Sequence, residues 1–109
     1  MYSILVVGPA QEDGGSLERQ LSSVEVLRAR GADEAVEKLG RNRRIDAVLL
    51  LQEEASALET IAAIREDLPA PPPLFLPLPS GAAAPEGVRP LVPGPAGELL
   101  ARLIAQIAR

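Results

Sequence analysis

The chain has 109 residues, a size that suits one compact domain spanning residues 1–109. With 11 basic and 15 acidic residues its net charge is −4, which argues against nucleic-acid binding as its main task, since such domains present a basic face. It has no cysteine and no histidine, so disulfides, thiolate chemistry and the commonest general base and transition-metal ligand are all excluded.

No apolar run is long enough to span a membrane, and no basic region precedes Ile4 as a signal peptide requires. A cytoplasmic protein is the expectation. With one Phe, one Tyr and no Trp, the core must be built from Leu, Val, Ile and Ala.

Ser3-Ile4-Leu5-Val6-Val7 is an apolar run that stops at Gly8-Pro9 and reads as a central strand. A polar, glycine-containing loop follows from Gln11 to Ser16, which can cap a helix through about Ser22. Val24 to Arg28 partly alternates, as a half-exposed edge strand does. Ala32, Ala35, Val36 and Leu39 follow helical spacing, and Gly40 is expected to end that helix.

Ile45 to Leu51 is a second apolar run of strand length, the signature of a strand buried on both faces. Ser56-Ala57-Leu58-Glu59 matches a capping box. Ala57, Ile61, Ile64 and Leu68 line one face of the helix it opens, and Pro69 closes it.

Prolines then become frequent. Leu74 to Leu78 reads as a strand containing Pro77, and Val88 to Val92 as a strand interrupted by Pro90. Because a proline has no N–H to donate, irregular pairing between these two strands is expected. Leu99, Leu100, Leu103, Ile104 and Ile107 define a terminal amphipathic helix. The predicted order is β-α-β-α-β-α-β-loop-β-α.

That order resembles the receiver domain of bacterial two-component response regulators. Ile4 to Val7, Gly31 to Val36, Asp46 to Leu50, Leu58 to Ile61 with Ile64-Arg65, and Leu99 to Arg102 carry the resemblance across nearly the whole chain. It implies an α/β, flavodoxin-like (CheY-like) three-layer sandwich with a five-stranded parallel sheet in the order 2-1-3-4-5.

The family's reactive residues are absent one by one. Gly8 and Pro9 stand where an acidic pair holds magnesium. Leu51 stands where the phosphoacceptor aspartate is, and Leu78 where the fourth strand ends in Thr or Ser. Val92-Pro93 stands where a Lys-Pro pair is, and the only lysine in the chain is Lys38. Glu12 and Asp13 come later in the first loop, from which they would have to reach back. Phosphoryl transfer to a carboxylate needs the carboxylate, a divalent cation and a cation on the developing charge. The chain therefore reads as a degenerate pseudo-receiver, with no catalytic residue and no cofactor.

Only Pro79 through Gly87 separate the last two strands, too few for the helix that usually makes a parallel crossover. The fourth helix of the family is expected to be missing or reduced. Its loss should leave Leu78, Val88 and Leu91 poorly covered. Pro77, Leu78, Val88, Pro90 and Leu91 are thus the expected interaction surface, for a protein partner in a signalling pathway or a second copy in a homodimer.

Three further readings follow from the residues. Gly8-Pro9 with Gly14-Gly15-Ser16 resembles an anion-binding loop, but lacks the Walker lysine and the spaced Rossmann glycines. A small-ligand or nucleotide-binding domain using the loops after the first and third strands is the alternative from another class. Glu53-Glu54 with Glu12-Asp13 would make at most a weak divalent-cation cluster.

Overall fold

A computed structural model describes residues 2–8, 24–41, 44–79, 81–94 and 96–108. Pro9, the acidic loop, the glycines at 14 and 15 and the helix expected from Ser16 lie outside the described residues.

Five parallel strands form one sheet in the order β2-β1-β3-β4-β5. They are β1 (Tyr2–Val7), β2 (Val24–Ala29), β3 (Ala47–Leu50), β4 (Leu74–Pro77) and β5 (Val88–Leu91). Three described helices flank them: α1 (Ala32–Arg41), α2 (Glu54–Asp67) and α3 (Ala96–Ile107). This is the expected flavodoxin-like sandwich.

Each face of the sheet carries its own core, because alternate side chains of a strand point to opposite faces. Leu5, Val7, Val48, Leu50, Leu74, Leu76 and Val88 meet Ala35 and Leu39 of α1 and Ala57, Ile61 and Ile64 of α2. Ile4, Val6, Ala47, Leu49, Phe75 and Leu91 meet Leu99, Leu100 and Leu103 of α3. Every residue of β3 is fully buried, as its unbroken apolar run demands.

Two helix boundaries differ from expectation. Gly40 does not end α1, which continues to Arg41. There the Arg41 guanidinium meets Glu37 one turn back at 2.9 Å, and Lys38 and Arg41 together set positive charge at the negative end of the helix dipole. Ser56 and Glu59 do not form the capping box. Helix α2 begins earlier, with Glu53 at its N-cap and no side-chain cap bond. The acidic first turn favours that earlier start, and Ser56 becomes an interior residue.

No helix is present among the described residues between β4 and β5. The pairing of these strands is nonetheless regular through four positions, from Leu74↔Val88 to Pro77↔Leu91. The expected irregularity is absent because both prolines turn their missing N–H away from this ladder. The amide of Leu78 donates to the carbonyl of Leu91 at 2.9 Å. The polar groups of Leu78 and Leu91 therefore face each other, and those of their neighbours Pro77 and Pro90 face the opposite ways. Pro77 faces β3, where the β3–β4 ladder ends at Leu49↔Phe75. Pro90 faces the open edge.

The missing helix also does not strip the β5 core residues. Val88 and Leu91 are buried, at 6% and 3% exposure, which corrects their assignment to an exposed surface. Val88 joins the α1–α2 core and Leu91 packs with α3. Arg65 of α2 reaches across to Gly87, where a Cβ would lie 2.4 Å from its guanidinium. Gly87 also has φ +77°, which strains any side-chain-bearing residue. Leu78 is half-buried against the α1–α2 core, while Pro77 is half-buried and Pro90 exposed.

Candidate functional site

In open parallel sheets, ligands and chemistry gather beyond the carboxyl ends of the strands. Here the described residues at that end are Gly8 after β1, Arg30 after β2, Leu51 to Glu53 after β3, Leu78 after β4 and Val92 to Gly94 after β5.

Gly8 and Leu51 come together, and they do so through backbone. A Cβ built on Gly8 would lie 2.4 Å from the carbonyl oxygen of Leu51 and 3.1 Å from its carbonyl carbon. Real Cβ atoms do not approach that closely, so only glycine fits. Two hydrogen bonds hold the approach in register. The amide of Leu51 donates to the carbonyl of Val7 at 2.7 Å, and the amide of Gly8 to that of Ala29 at 2.8 Å. On β1, the register Val7↔Leu50 sets the two chain ends side by side.

Leu51 itself is half-buried and packs against the α3-side core rather than being sealed within it. Its side chain offers hydrocarbon where a carboxylate would be needed. The next residue, Gln52, is tied to α2. The Thr60 hydroxyl lies 2.8 Å from the Gln52 amide oxygen and 3.0 Å from the Ser56 carbonyl. Thr60 is the one buried polar side chain among the described residues, and these contacts satisfy it. Sequence reasoning missed this pair. Its signal was a threonine at i+3 in the apolar stripe Ala57, Ile61, Ile64, where a buried hydroxyl must find an acceptor.

A shallow hollow of about 370 Å³ opens here, lined by Arg30, Leu51, Gln52, Glu53 and Ser56. It brings one cation and one carboxylate to the end of the sheet. Among the described residues no three acidic side chains gather as a metal site would need. Glu53 and Glu54 open α2, and their suggested partners Glu12 and Asp13 lie outside the described residues.

The remaining family positions lie apart on the same end. Leu78 is half-buried and Pro93 exposed. Val92, beside it, is 60% exposed, and the Arg102 guanidinium donates to its carbonyl at 2.8 Å from α3. Among the described residues no helix is long and apolar enough to cross a membrane.

The sequence matches no protein-family model and no curated protein. Its fold does have solved counterparts. A chain in the crystal structure of the phosphorylated P1 domain of CheA3 in complex with CheY6 from R. sphaeroides is 20% identical, with a TM-score of 0.63. That match covers 99% of this chain and 98% of the other. A response regulator receiver modulated diguanylate cyclase from Pelobacter carbinolicus is 19% identical, with a TM-score of 0.60 over 99% and 97% of the two chains. The constitutive lysine decarboxylase of E. coli is 15% identical, with a TM-score of 0.63, but the match spans only 17% of that longer chain. The likeness at these identities is one of fold, and the chain has the fold of the CheY-like receiver domains.

Proposed function

We propose that this chain is a pseudo-receiver: a phosphorylation-independent protein–protein interaction module of bacterial signal transduction, acting in the cytoplasm, and not an enzyme. One observation carries the reading. At the ends of β1 and β3, where a cation and an acceptor carboxylate would be held, Gly8 lies so close to the carbonyl of Leu51 that no side chain fits at position 8. The residue types point the same way. A glycine and a leucine ligate no metal and accept no phosphoryl group. The counterpart from the CheA3 P1–CheY6 complex is a fold neighbour whose own setting is a protein complex.

The partner surface follows from what remains uncovered. Val88 and Leu91 are core, so the surface narrows to Pro77, Leu78 and Pro90, extended by exposed Val92 and Pro93. An acidic protein with this surface suits a protein partner, or a second copy, rather than nucleic acid or a membrane.

The test has two arms. Incubation with acetyl phosphate and magnesium, read by intact mass, should leave the protein unmodified; a magnesium-dependent phosphoryl adduct would overturn the reading. Affinity capture should then recover a partner that binds equally with and without the phosphodonor and is lost on Val92→Glu. A partner whose binding rises with the phosphodonor would also refute it. A second reading, a small-ligand or nucleotide-binding domain, is favoured only by the hollow beside Arg30 and Ser56. A nucleotide that raises the melting temperature of the wild type but not of Arg30→Ala would support it.

A further inference from the structure

An open parallel sheet has two edges, and each presents backbone groups to which another strand can add. We infer that the β5 edge is closed to strand addition, with Pro90 as the residue that closes it, so that a second copy of the chain cannot extend the sheet there.

The argument follows from the hydrogen-bond phase of β5. In a strand, the N–H and C=O of one residue point to the same side, and successive residues alternate sides. The Leu91 carbonyl accepts from Leu78, so Leu91 and Arg89 face β4. Val88 and Pro90 therefore face outward. A strand added in parallel would need donors from both. Pro90 has none. The amide of Val88 is already bound, donating to the carbonyl of Pro85 at 3.0 Å, which turns the approach to β5 back on itself. The four-residue edge thus offers two outward carbonyls and no outward donor. An incoming strand would donate to the edge and receive nothing in return, leaving its own carbonyls unpaired.

Edge defence matters in this chain because the usual cover is missing. No helix is present among the described residues between β4 and β5, and the connection ends in the short turn before Val88. At the far edge a different device serves. The Ala29 carbonyl faces β1, so that of Arg28 faces outward, and the Lys38 ammonium of α1 donates to it. Both devices, a proline in the edge strand and a helix lysine laid onto an edge carbonyl, blunt a sheet edge. One consequence concerns partners: whatever binds the β5 side is held by side chains, not by a backbone ladder.

Sedimentation velocity over a concentration series tests this with wild type, Pro90→Val and Pro90→Ala, each checked for native fold by circular dichroism. Position 90 is exposed, so neither change disturbs the core. Both variants restore an outward donor, and valine adds strand preference. The expected result is an association step absent from wild type, with apparent mass rising toward double, larger for Pro90→Val than for Pro90→Ala. Two results would overturn the inference. One is folded variants that match the wild-type mass at every concentration. The other is a wild-type dimer that Pro90→Val weakens. If valine perturbs the fold, the alanine variant decides alone.

Discussion

Gly8 and Leu51 show how a single close contact removes a chemistry. The approach of the Leu51 carbonyl leaves no room for a Cβ at position 8. Gly8→Ala must push two hydrogen-bonded strand ends apart, and overpacking of this kind costs about 1–3 kcal/mol. Urea denaturation of Gly8→Ala should show that loss; an unchanged midpoint would mean that the two backbones are not in contact. Leu51→Asp is a different case. Because Leu51 is half-buried, a carboxylate there can turn toward water, and the expected loss is about 1 kcal/mol rather than that of a fully buried charge. The variant should also stay unphosphorylated by acetyl phosphate and magnesium, since restoring one carboxylate restores neither the cation site nor the lysine. A phosphoryl adduct on Leu51→Asp would mean that other acids in the chain complete the site.

At the scale of elements, α2 carries the most informative local features. Its N-cap, Glu53, has extended backbone angles (φ −60°, ψ 153°) suited to a cap, but makes no side-chain cap bond. Glutamate is too long to turn back onto the first-turn amides. Glu53→Asp keeps the favourable charge and shortens the reach, and should stabilise by roughly 0.5–1 kcal/mol, read as a higher melting temperature. No gain would mean that the first turn is already satisfied by solvent. One turn further on, Thr60→Val keeps the shape and removes the hydroxyl that meets Gln52 and the Ser56 carbonyl. The expected cost is about 1 kcal/mol, with Gln52 released from its tether. Ser56 and Glu59 also explain how the sequence misled. They match a capping box, yet the real start was set by Glu53 and Glu54, whose charge suits the helix dipole. Strands were easier to read. β3 and residues 4–7 of β1 are unbroken apolar runs because both faces are covered there. Positions 8 and 51 could be read as unreactive from residue type alone, but their contact could not, since it depends on β1 and β3 being neighbours in register. The burial of Val88 and Leu91 was equally hidden, because it depends on Ile61 and Ile64 of α2 arriving from distant sequence and on α3 folding back over β5. Leu91→Glu, a natural choice for probing a surface, would instead insert a charge into the α3 core.

For the whole molecule, the sheet divides the interior into two aliphatic cores, and neither is large. The α3-side core depends on one aromatic ring. Phe75 is fully buried in β4, among Leu49, Leu91 and the leucines of α3, and the Arg89 guanidinium lies 5.7 Å from its ring centroid. A domain of this size is held by only about 5–15 kcal/mol in total. Phe75→Ala leaves a cavity costing about 3–5 kcal/mol, a large share of that total. Its neighbours are branched aliphatics pinned by two layers of backbone, so they cannot collapse into the space. Phe75→Leu keeps most of the volume and should cost about 1–1.5 kcal/mol. Arg89→Ala, which removes an edge cation above the ring, should cost only about 0.5–1 kcal/mol. The three form an ordered series for chemical denaturation, with alanine at 75 most harmful and alanine at 89 least. The order discriminates between two ways of holding the sheet onto α3. If Arg89→Ala were as harmful as Phe75→Ala, the β5 side would be held by its charged rim. The expected order says that it is held by the ring, and that β5 stays in the sheet because Leu91 beside that ring has α3 to pack against.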